Sequence, residues 1–485
     1  MSASSVGIEP NAADYTRQLA GARFRPWWPV LTILCSDICG LALSFGISIL
    51  VWTIRSQPVN SSYAEYLTAL ALFLAICRVA DLHGTAGVAP VEELRRISLA
   101  ISGTFLLLIF VTFLMKETAK YSRGMIILAW CCAIIVLPIS RLTIRPFLGR
   151  RNWFAKPVAI LGAGRTAAML IETLTRNPDL ALRPVVAFDD DWAKCGALSG
   201  VPVVHGLSNC SACCRQMGID YAIVAMPGVS RGRLLEVIRS TASGFSRLLL
   251  VPDLFGVSSV WVESRDMGGT LGLEIRDNLL RRGALAAKRL LDLALIAIAL
   301  PVALPLCGAI ALLVKLTSPG PAFYSQRRVG RDGRIIRVWK SRTMHQNADD
   351  LLQQFLLRQP HLQTEWSKDH KLKDDPRITP LGRVLRRTSL DELPQLWNVV
   401  KGEMSLVGPR PIVSAEIWRF GDSFEVYTRV PPGITGPWQV SGRNRLSYEE
   451  RVRLNEHYVR NWSVWLDLII LFKTVRVVLT SDGAY

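Results

Sequence analysis

The sequence predicts a membrane protein of α plus α/β architecture. Four transmembrane helices come first, then a Rossmann-like α/β domain, then a mainly helical C-terminal domain holding a re-entrant membrane helix. Three observations predict this. Four apolar stretches fall before residue 146, at roughly 30–54, 64–80, 97–115 and 125–140. A strand, glycine turn and helix pattern opens at 157. A fifth apolar stretch, 290–314, is interrupted by Pro301 and Pro305. At 485 residues the chain should hold several folded units. The expected boundaries are 1–150 for the membrane domain, 151–265 for the α/β domain, 266–287 for a connection and 288–485 for the last domain.

The first and third stretches approach the ~20 residues that cross a bilayer. The second is short and carries Arg78 near its end. Trp27 and Trp28 suit an interfacial anchor, and no cleavable signal pattern precedes them. Basic residues set the expected orientation. Arg17, Arg23 and Arg25 precede the first span, and Arg95 and Arg96 lie between the second and third. Arg141, Arg145, Arg150, Arg151 and Lys156 follow the fourth. The positive-inside rule places the N-terminus and everything after residue 146 in the cytoplasm. A soluble four-helix bundle would show polar faces, which these stretches lack.

PVAILGAG at 157–164, followed by RTAAMLIETL, reads as a buried strand, a tight turn at Gly162 and Gly164, and a helix. RPVVAFDDD, IDYAIVAMP and RLLLVP supply further strands, hence a doubly wound α/β domain. G-x-G-x-x-A could seat a pyrophosphate at the helix N-terminus, with Asp189 meeting a ribose. Such turns also serve close strand–helix packing. No Tyr-x-x-x-Lys pair occurs, which argues against short-chain dehydrogenase chemistry. Cys210, Cys213 and Cys214 lack a second ligand pair at zinc-finger spacing, so they read as a helix-face or loop cluster.

The stretch 290–314 is long enough to span. Its flanks are basic at both ends: Arg281, Arg282, Lys288 and Arg289 before, Lys315, Arg327 and Arg328 after. Both ends therefore favour the same side. A helix that enters and returns, with the proline pair as its turning point, satisfies this.

The formal net charge of +18 suits an anionic partner: nucleic acid, an anionic bilayer or a phosphorylated substrate. In the C-terminal domain the cations gather on glycine- and proline-rich loops around an acid pair, Asp391 and Glu392. Arg forks match phosphate oxygens two at a time. Ser389-Leu390-Asp391-Glu392 fits a capping box, which explains Glu392 but not Asp391 or the surrounding cations. A helix N-terminus and nearby arginines should hold Asp391 ionised. An ionised, partly desolvated Asp can attack phosphorus, while its neighbour holds Mg²⁺.

The segment 281–485 resembles the bacterial sugar transferases, the monotopic polyprenyl-phosphate hexose-1-phosphate transferases. The likeness runs through KRLLD (288–292), KLTSPGPAFYSQRRVG (315–330), WKSRTM (339–344), DPRITPLG (375–382), RRTSLDELPQLWNVVKGEMSLVGPRP (386–411), PGITGPWQVSGRN (432–444) and YVRNWSVWLDLIIL (458–471). RDMGGTLGLEIRDNLL (265–280) and the terminal GAY resemble the undecaprenyl-phosphate galactose phosphotransferases.

The resemblance implies that Asp391 attacks the β-phosphorus of a UDP-hexose and expels UMP. A polyprenyl phosphate then takes the sugar phosphate, with Glu392 assisting through Mg²⁺. Arg386, Arg410 and Lys340 match site positions, and Asp467 matches a further acidic one. Arg342, Arg377, Arg383 and Arg443 complete the expected phosphate cradle. Trp462 and Trp465 suit a membrane-surface helix. The implied partners are UDP-hexose, undecaprenyl phosphate and the bilayer, with a homodimer compatible and no nucleic acid. The implied location is the bacterial inner membrane, with the site on its cytoplasmic face. Two departures stand out: Leu304 precedes Pro305 where Ser is usual, and Pro437 replaces a larger apolar residue. The rival readings are a membrane-anchored nucleotide-binding regulator and, from charge alone, a nucleic-acid binder.

Overall fold

The computed structural model describes residues 27–54, 62–84, 86–114, 123–241, 244–251, 262–266, 271–275, 279, 282–359, 375–421, 423–442 and 446–480. Arg17, Arg23, Arg25, Arg281, Arg443 and the terminal GAY lie outside these residues. The chain divides into two compact units, Met1–Asp253 and Leu254–Tyr485.

The first unit opens with four helices, α1 (Trp27–Ile54), α2 (Ser62–Val79), α3 (Pro90–Leu114) and α4 (Arg123–Leu148). Leu41 and Phe45, Phe73, Ile97 and Ile101, and Ala129 and Leu137 form one core that draws on all four. By length and composition α1, α3 and α4 can cross a membrane, whereas the apolar part of α2 is only Tyr66–Val79. At 1.5 Å per residue that part is about 21 Å, short of the ~30 Å hydrocarbon layer.

The bundle also contains charge. Arg141 on α4 holds both carboxylate oxygens of Asp37 on α1, at 3.0 and 2.5 Å, and reaches Glu93 on α3 at 3.2 Å. Arg145 pairs with Glu93 as well. All four side chains are buried. Arg141 and Arg145, counted in the sequence among the flanking basic residues, are thus buried ion-pair partners rather than free surface charges. In a low-dielectric interior an unpaired ion is too costly, and these two are spent on Asp37 and Glu93.

The α/β part holds β1 (Lys156–Leu161), α5 (Arg165–Arg176), β2 (Leu182–Asp189), β3 (Gly196–Leu198), β4 (Val201–His205), α6 (Cys210–Gln216), β5 (Tyr221–Val224), α7 (Arg231–Thr241) and β6 (Arg247–Leu250). The sheet order is β3-β4-β2-β1-β5-β6, parallel except for β3. Its parallel strands follow the doubly wound order, with the reversal between β1 and β5. Cys210 and Cys214 are buried in the core beneath the sheet, and Cys213 packs against it. Among the described residues no group of three or more His, Cys, Asp or Glu is placed to hold a metal.

The second unit starts with a hairpin of β7 (Val262–Asp266) and β8 (Leu271–Ile275), which straddles the expected boundary at 265. Then comes α8 (Arg282–Thr317), 36 residues and helical through Pro301 and Pro305. The expected break at the proline pair does not interrupt the helical assignment. Both ends of α8 pack on the domain that follows. Ile296 lies against Val338, Val399 and Met404, and Ile310 and Val314 lie against Ala322 and Leu385. Between them Ile298, Val302 and Leu304 are 76%, 72% and 65% exposed. A naked apolar stretch of this size on a folded protein calls for a partner or a bilayer.

The remaining elements are β9 (Phe323–Val329), β10 (Ile335–Ser341), α9 (Ala348–Arg358), α10 (Pro380–Arg387), α11 (Gln395–Lys401), β11 (Ser405–Val407), α12 (Ser423–Thr428), β12 (Gly433–Thr435), α13 (Pro437–Val440), α14 (Tyr448–Arg460) and α15 (Val464–Thr480). β9 and β10 form an antiparallel pair, while β11 and β12 pair in parallel.

Candidate active site

The acid pair sits on a single 3₁₀ turn, Leu390–Glu392, between α10 and α11. Thr379 starts α10 by accepting the Gly382 N–H on its hydroxyl at 2.9 Å, with Pro380 at the first helical position. A Cβ on Gly382 would lie 2.1 Å from the Thr343 carbonyl oxygen, so glycine is what lets α10 rest on the strand end. α10 stops at Thr388. Ser389 then takes φ 57°, ψ 17°, a left-handed conformation uncommon for serine. This overturns the expected capping box. An N-cap residue needs extended dihedrals to aim its hydroxyl at the third amide, and Ser389 makes no such bond.

The reversal instead turns Asp391 and Glu392 toward β10. Lys340 Nζ donates to Glu392 Oε1 at 2.7 Å and lies 4.0 Å from Asp391 Oδ2. Asn398, fully buried on α11, pins the other side. It accepts the Trp339 N–H at 3.1 Å and donates to the Arg337 carbonyl at 2.7 Å. The strand bearing Lys340 and the helix following Glu392 are thus locked together.

Asp391 is 8% exposed. Burial pushes its carboxyl up to about 6; Glu392 pushes the same way, while Lys340 and Arg386 oppose. The nearby cations, expected to favour its ionised form, do act in that direction, but desolvation is the larger effect and raises the carboxyl. Arg386 bonds the Thr343 hydroxyl at 2.9 Å through Nε. Tyr324 lies in the same field of Lys340, Arg386, Asp391 and Glu392, and it is the direct cross-strand partner of Lys340. The sequence reading missed Tyr324 and Asn398. The alternation of β9 against the KSR strand would have found the first; an amide inside the apolar run LWNVV hints at the second.

The other expected site residues divide. Arg377 is bidentate to Asp375, its Nη2 at 2.6 Å. Arg383 is exposed on α10, one turn before Arg386. Arg342 is corrected from substrate binder to anchor: it is buried, and it donates to the carbonyls of Ser318 (2.7 Å) and Pro319 just past the end of α8. Such contacts satisfy the orphan carbonyls of a helix C-terminus. Arg410 is exposed on the Pro409-Arg410-Pro411 turn, over the Trp438 ring at 5.6 Å. Arg443 falls outside the described residues. Pro301 and Pro305 lie in the exposed middle of α8.

Asp467, which matches a further acidic family position, is held inside the fold. It is 1% exposed. Lys288 reaches it at 2.7 Å, the Tyr458 hydroxyl at 2.7 Å and the Trp462 indole N–H at 3.1 Å. Trp462 is therefore inside the core, not at a surface. This clasp ties α15 to the start of α8.

Leu390 and Leu393, flanking the carboxylates, pack against the cluster of Ile310 and Val314 on α8. The turn that bears Asp391 and Glu392 thus shares a hydrophobic cluster with α8.

In the middle domain Gly162 has φ +99°, and a Cβ there would meet Met226 Cγ at 2.3 Å. Asp189 accepts the Ala163 N–H at 2.8 Å and the Asp191 N–H at 2.9 Å. It therefore braces the glycine turn itself. Gly164 precedes α5 with open space around it.

A family model described as bacterial sugar transferase matches residues 283–481, from the start of α8 to the end of α15. A UDP-galactose-lipid carrier transferase from Erwinia amylovora is 36% identical over 392 residues, 79% of this chain and 81% of the relative. The chain belongs to the bacterial sugar transferase family. An undecaprenyl-phosphate galactose phosphotransferase from Salmonella typhimurium is 37% identical, with 76% of this chain and 77% of the relative covered. A UDP-glucose:undecaprenyl-phosphate glucose-1-phosphate transferase from Escherichia coli is 32% identical over 74% of this chain and 76% of its own length. For this sugar transferase a second family model, described as a CoA-binding domain, matches 83–252. The agreement with full-length relatives and the four long apolar helices make it a membrane-associated enzyme.

Proposed function

We propose that this sugar transferase moves hexose 1-phosphate from a UDP-hexose to undecaprenyl phosphate, releasing UMP, as the first step of exopolysaccharide, capsule or O-antigen repeat-unit assembly. Galactose is the favoured sugar, because the two relatives named for galactose match at 36% and 37% identity and the glucose relative at 32%. UDP-glucose is the alternative donor.

The observation that carries the reading is a buried Asp391 beside a Glu392 already engaged by Lys340. A carboxyl near 6 is ionised at neutral pH yet more basic than a solvated one, which suits a nucleophile. In the first step an Asp391 oxygen bonds the β-phosphorus as its bond to the bridging oxygen breaks, and that electron pair leaves on UMP. In the second, an oxygen of the lipid phosphate bonds the same phosphorus and the Asp391 carboxylate departs. Lys340 and Arg386 supply fixed positive charge where oxygen charge develops.

The two adjacent carboxylates suit Mg²⁺, which is usually held by one or two carboxylates together with substrate phosphate oxygens. Glu392 and Asp391 would hold it, Glu392 through the oxygen that Lys340 leaves open. Bound there, the ion would neutralise charge on the diphosphate.

The re-entrant form of α8 is supported by the packing of both its ends on one domain with the middle exposed. In that arrangement both ends face the cytoplasm, where UDP-sugars are found. Leu390 and Leu393 then hold Asp391 at the bilayer surface, within reach of a lipid phosphate. The test mixes membranes carrying the protein with undecaprenyl phosphate and UDP-galactose or UDP-glucose, and follows UMP. Release is expected, faster with UDP-galactose; no UMP from either donor contradicts the reading.

A further inference from the structure

The face of the β9–β10 pair that carries Lys340 continues away from the carboxylates. Residues two apart on a strand share a face, so Tyr324, Gln326 and Arg328 line it in order. Arg328 is about 13 Å along the strand from Tyr324, at roughly 3.3 Å per residue. There β9 meets the turn that bears Arg410. The Val329 N–H donates to the Ile412 carbonyl at 2.8 Å, and Tyr427 donates its hydroxyl to the Arg410 carbonyl at 2.9 Å.

The two guanidiniums are each held from behind by a neutral group. Arg328 Nη2 donates to Gln326 Oε1 at 2.9 Å, and Arg410 lies over the Trp438 ring. Arg451 lies against the same ring at 4.8 Å. Among the described residues no carboxylate pairs with Arg328, Arg410 or Arg451. Glu416 is in the field of Arg328 but accepts the Tyr448 hydroxyl at 3.4 Å. Arg328 is partly buried, and burial and the neighbouring charge of Arg410 both act against its cationic form. A solvated surface arginine would relieve that conflict by turning outward. Here Arg328 stays partly buried with its guanidinium bonded to Gln326, a costly arrangement beside the charge of Arg410 unless an anion arrives.

We propose that Arg328, oriented by Gln326 and set against Arg410, forms a second phosphate position of the site, separate from the Lys340–Arg386 group around Asp391. This rests on the transfer reaction proposed above. A donor diphosphate and a lipid phosphate both bring phosphate oxygens to this region. The shared chemistry is recognition of phosphate by paired guanidinium forks. The α-phosphate of the UDP-hexose and the phosphate of the polyprenyl acceptor are the two sources.

Steady-state kinetics of the full chain in lipid nanodiscs separates them. Arg328→Gln is compared with wild type and with Arg337→Gln, which removes the same charge from the exposed face of the hairpin. Loss of a charged hydrogen bond predicts about a ten- to hundredfold rise in one KM. A raised KM for UDP-hexose, with slowed UMP release before acceptor is added, assigns the position to the donor. A raised KM for undecaprenyl phosphate, with that first release intact, assigns it to the acceptor. Unchanged KM values for both, or equal effects of Arg337→Gln, overturn the proposal. An unliganded melting temperature equal to wild type confirms that Arg328→Gln folds. A wild type that releases no UMP contradicts the transfer reaction instead. The position is then read by the upward melting shift caused by inorganic phosphate: a smaller shift in Arg328→Gln supports it, and an equal one overturns it.

Discussion

Lys340 grips Glu392 at 2.7 Å and stands back from Asp391 at 4.0 Å. The stronger partner of the lysine is thus the neighbour of the proposed nucleophile, which leaves the Asp391 oxygens unclaimed by an ion pair at hydrogen-bond distance. Burial then dominates, and Asp391 rises to about 6. UMP release should fall with a one-proton slope as pH drops through about 6. Lys340 lowers the Asp391 value and Glu392 raises it. Lys340→Met should therefore move the acidic limb to higher pH, and Glu392→Gln should move it to lower pH. Stopped-time UMP assays from pH 5 to 8 check the two opposite shifts.

The same burial carries a stability cost. A carboxyl raised in the folded state favours folding only while protonated, below its unfolded value near 4. That benefit is lost as pH rises through about 6. At neutral pH the ionised Asp391 costs roughly 3 kcal/mol, about two pK units at 1.36 kcal/mol each. Asp391→Asn should be inactive yet melt higher than wild type at pH 7.5, with the difference shrinking toward pH 4. Thermal unfolding in detergent micelles at both pH values reads this directly.

Sequence periodicity and spacing reached the long apolar helices and the α/β sheet, because apolar runs and a glycine turn after a strand are local signals. They did not reach partner choice. Arg141 looks like a flanking charge until Asp37, over a hundred residues earlier, is seen across the bundle, and Arg145 until Glu93 is. Arg342 looks like a phosphate fork until its donors are found on the Ser318 and Pro319 carbonyls. The serine of S-x-x-E looks like a cap until its φ is known to be 57°. Each miss is a side chain whose role is set by a contact distant in sequence or by a backbone angle that the sequence pattern does not encode.

Asp467 and Lys288 offer a test of clasp against ligand. Removing one partner of a buried ion pair strands the other charge, at a cost of about 3–5 kcal/mol. Asp467→Asn should lower the melting temperature sharply without substrate present, and Lys288→Met/Asp467→Leu together should recover much of the loss. A variant with wild-type stability and only a raised KM would mark Asp467 as a substrate contact.

Asp37 and Arg141 make the parallel case in the helix bundle, where the pair is bidentate and buried. Arg141→Ala leaves Asp37 and part of Glu93 uncompensated. It should destabilise the first unit by about 3–5 kcal/mol, read as faster proteolysis in micelles. Arg95→Ala, on the exposed Glu92 pair, should cost no more than about 1 kcal/mol.

Intact-mass and peptide mass spectrometry of the protein incubated with UDP-hexose and Mg²⁺, without lipid acceptor, tests the central claim most directly. The account predicts UMP release that stops near one equivalent, with a hexose-phosphate adduct on the peptide bearing Asp391 that undecaprenyl phosphate then removes. UMP that appears only after acceptor is added, with no adduct at Asp391 at any time, would contradict it.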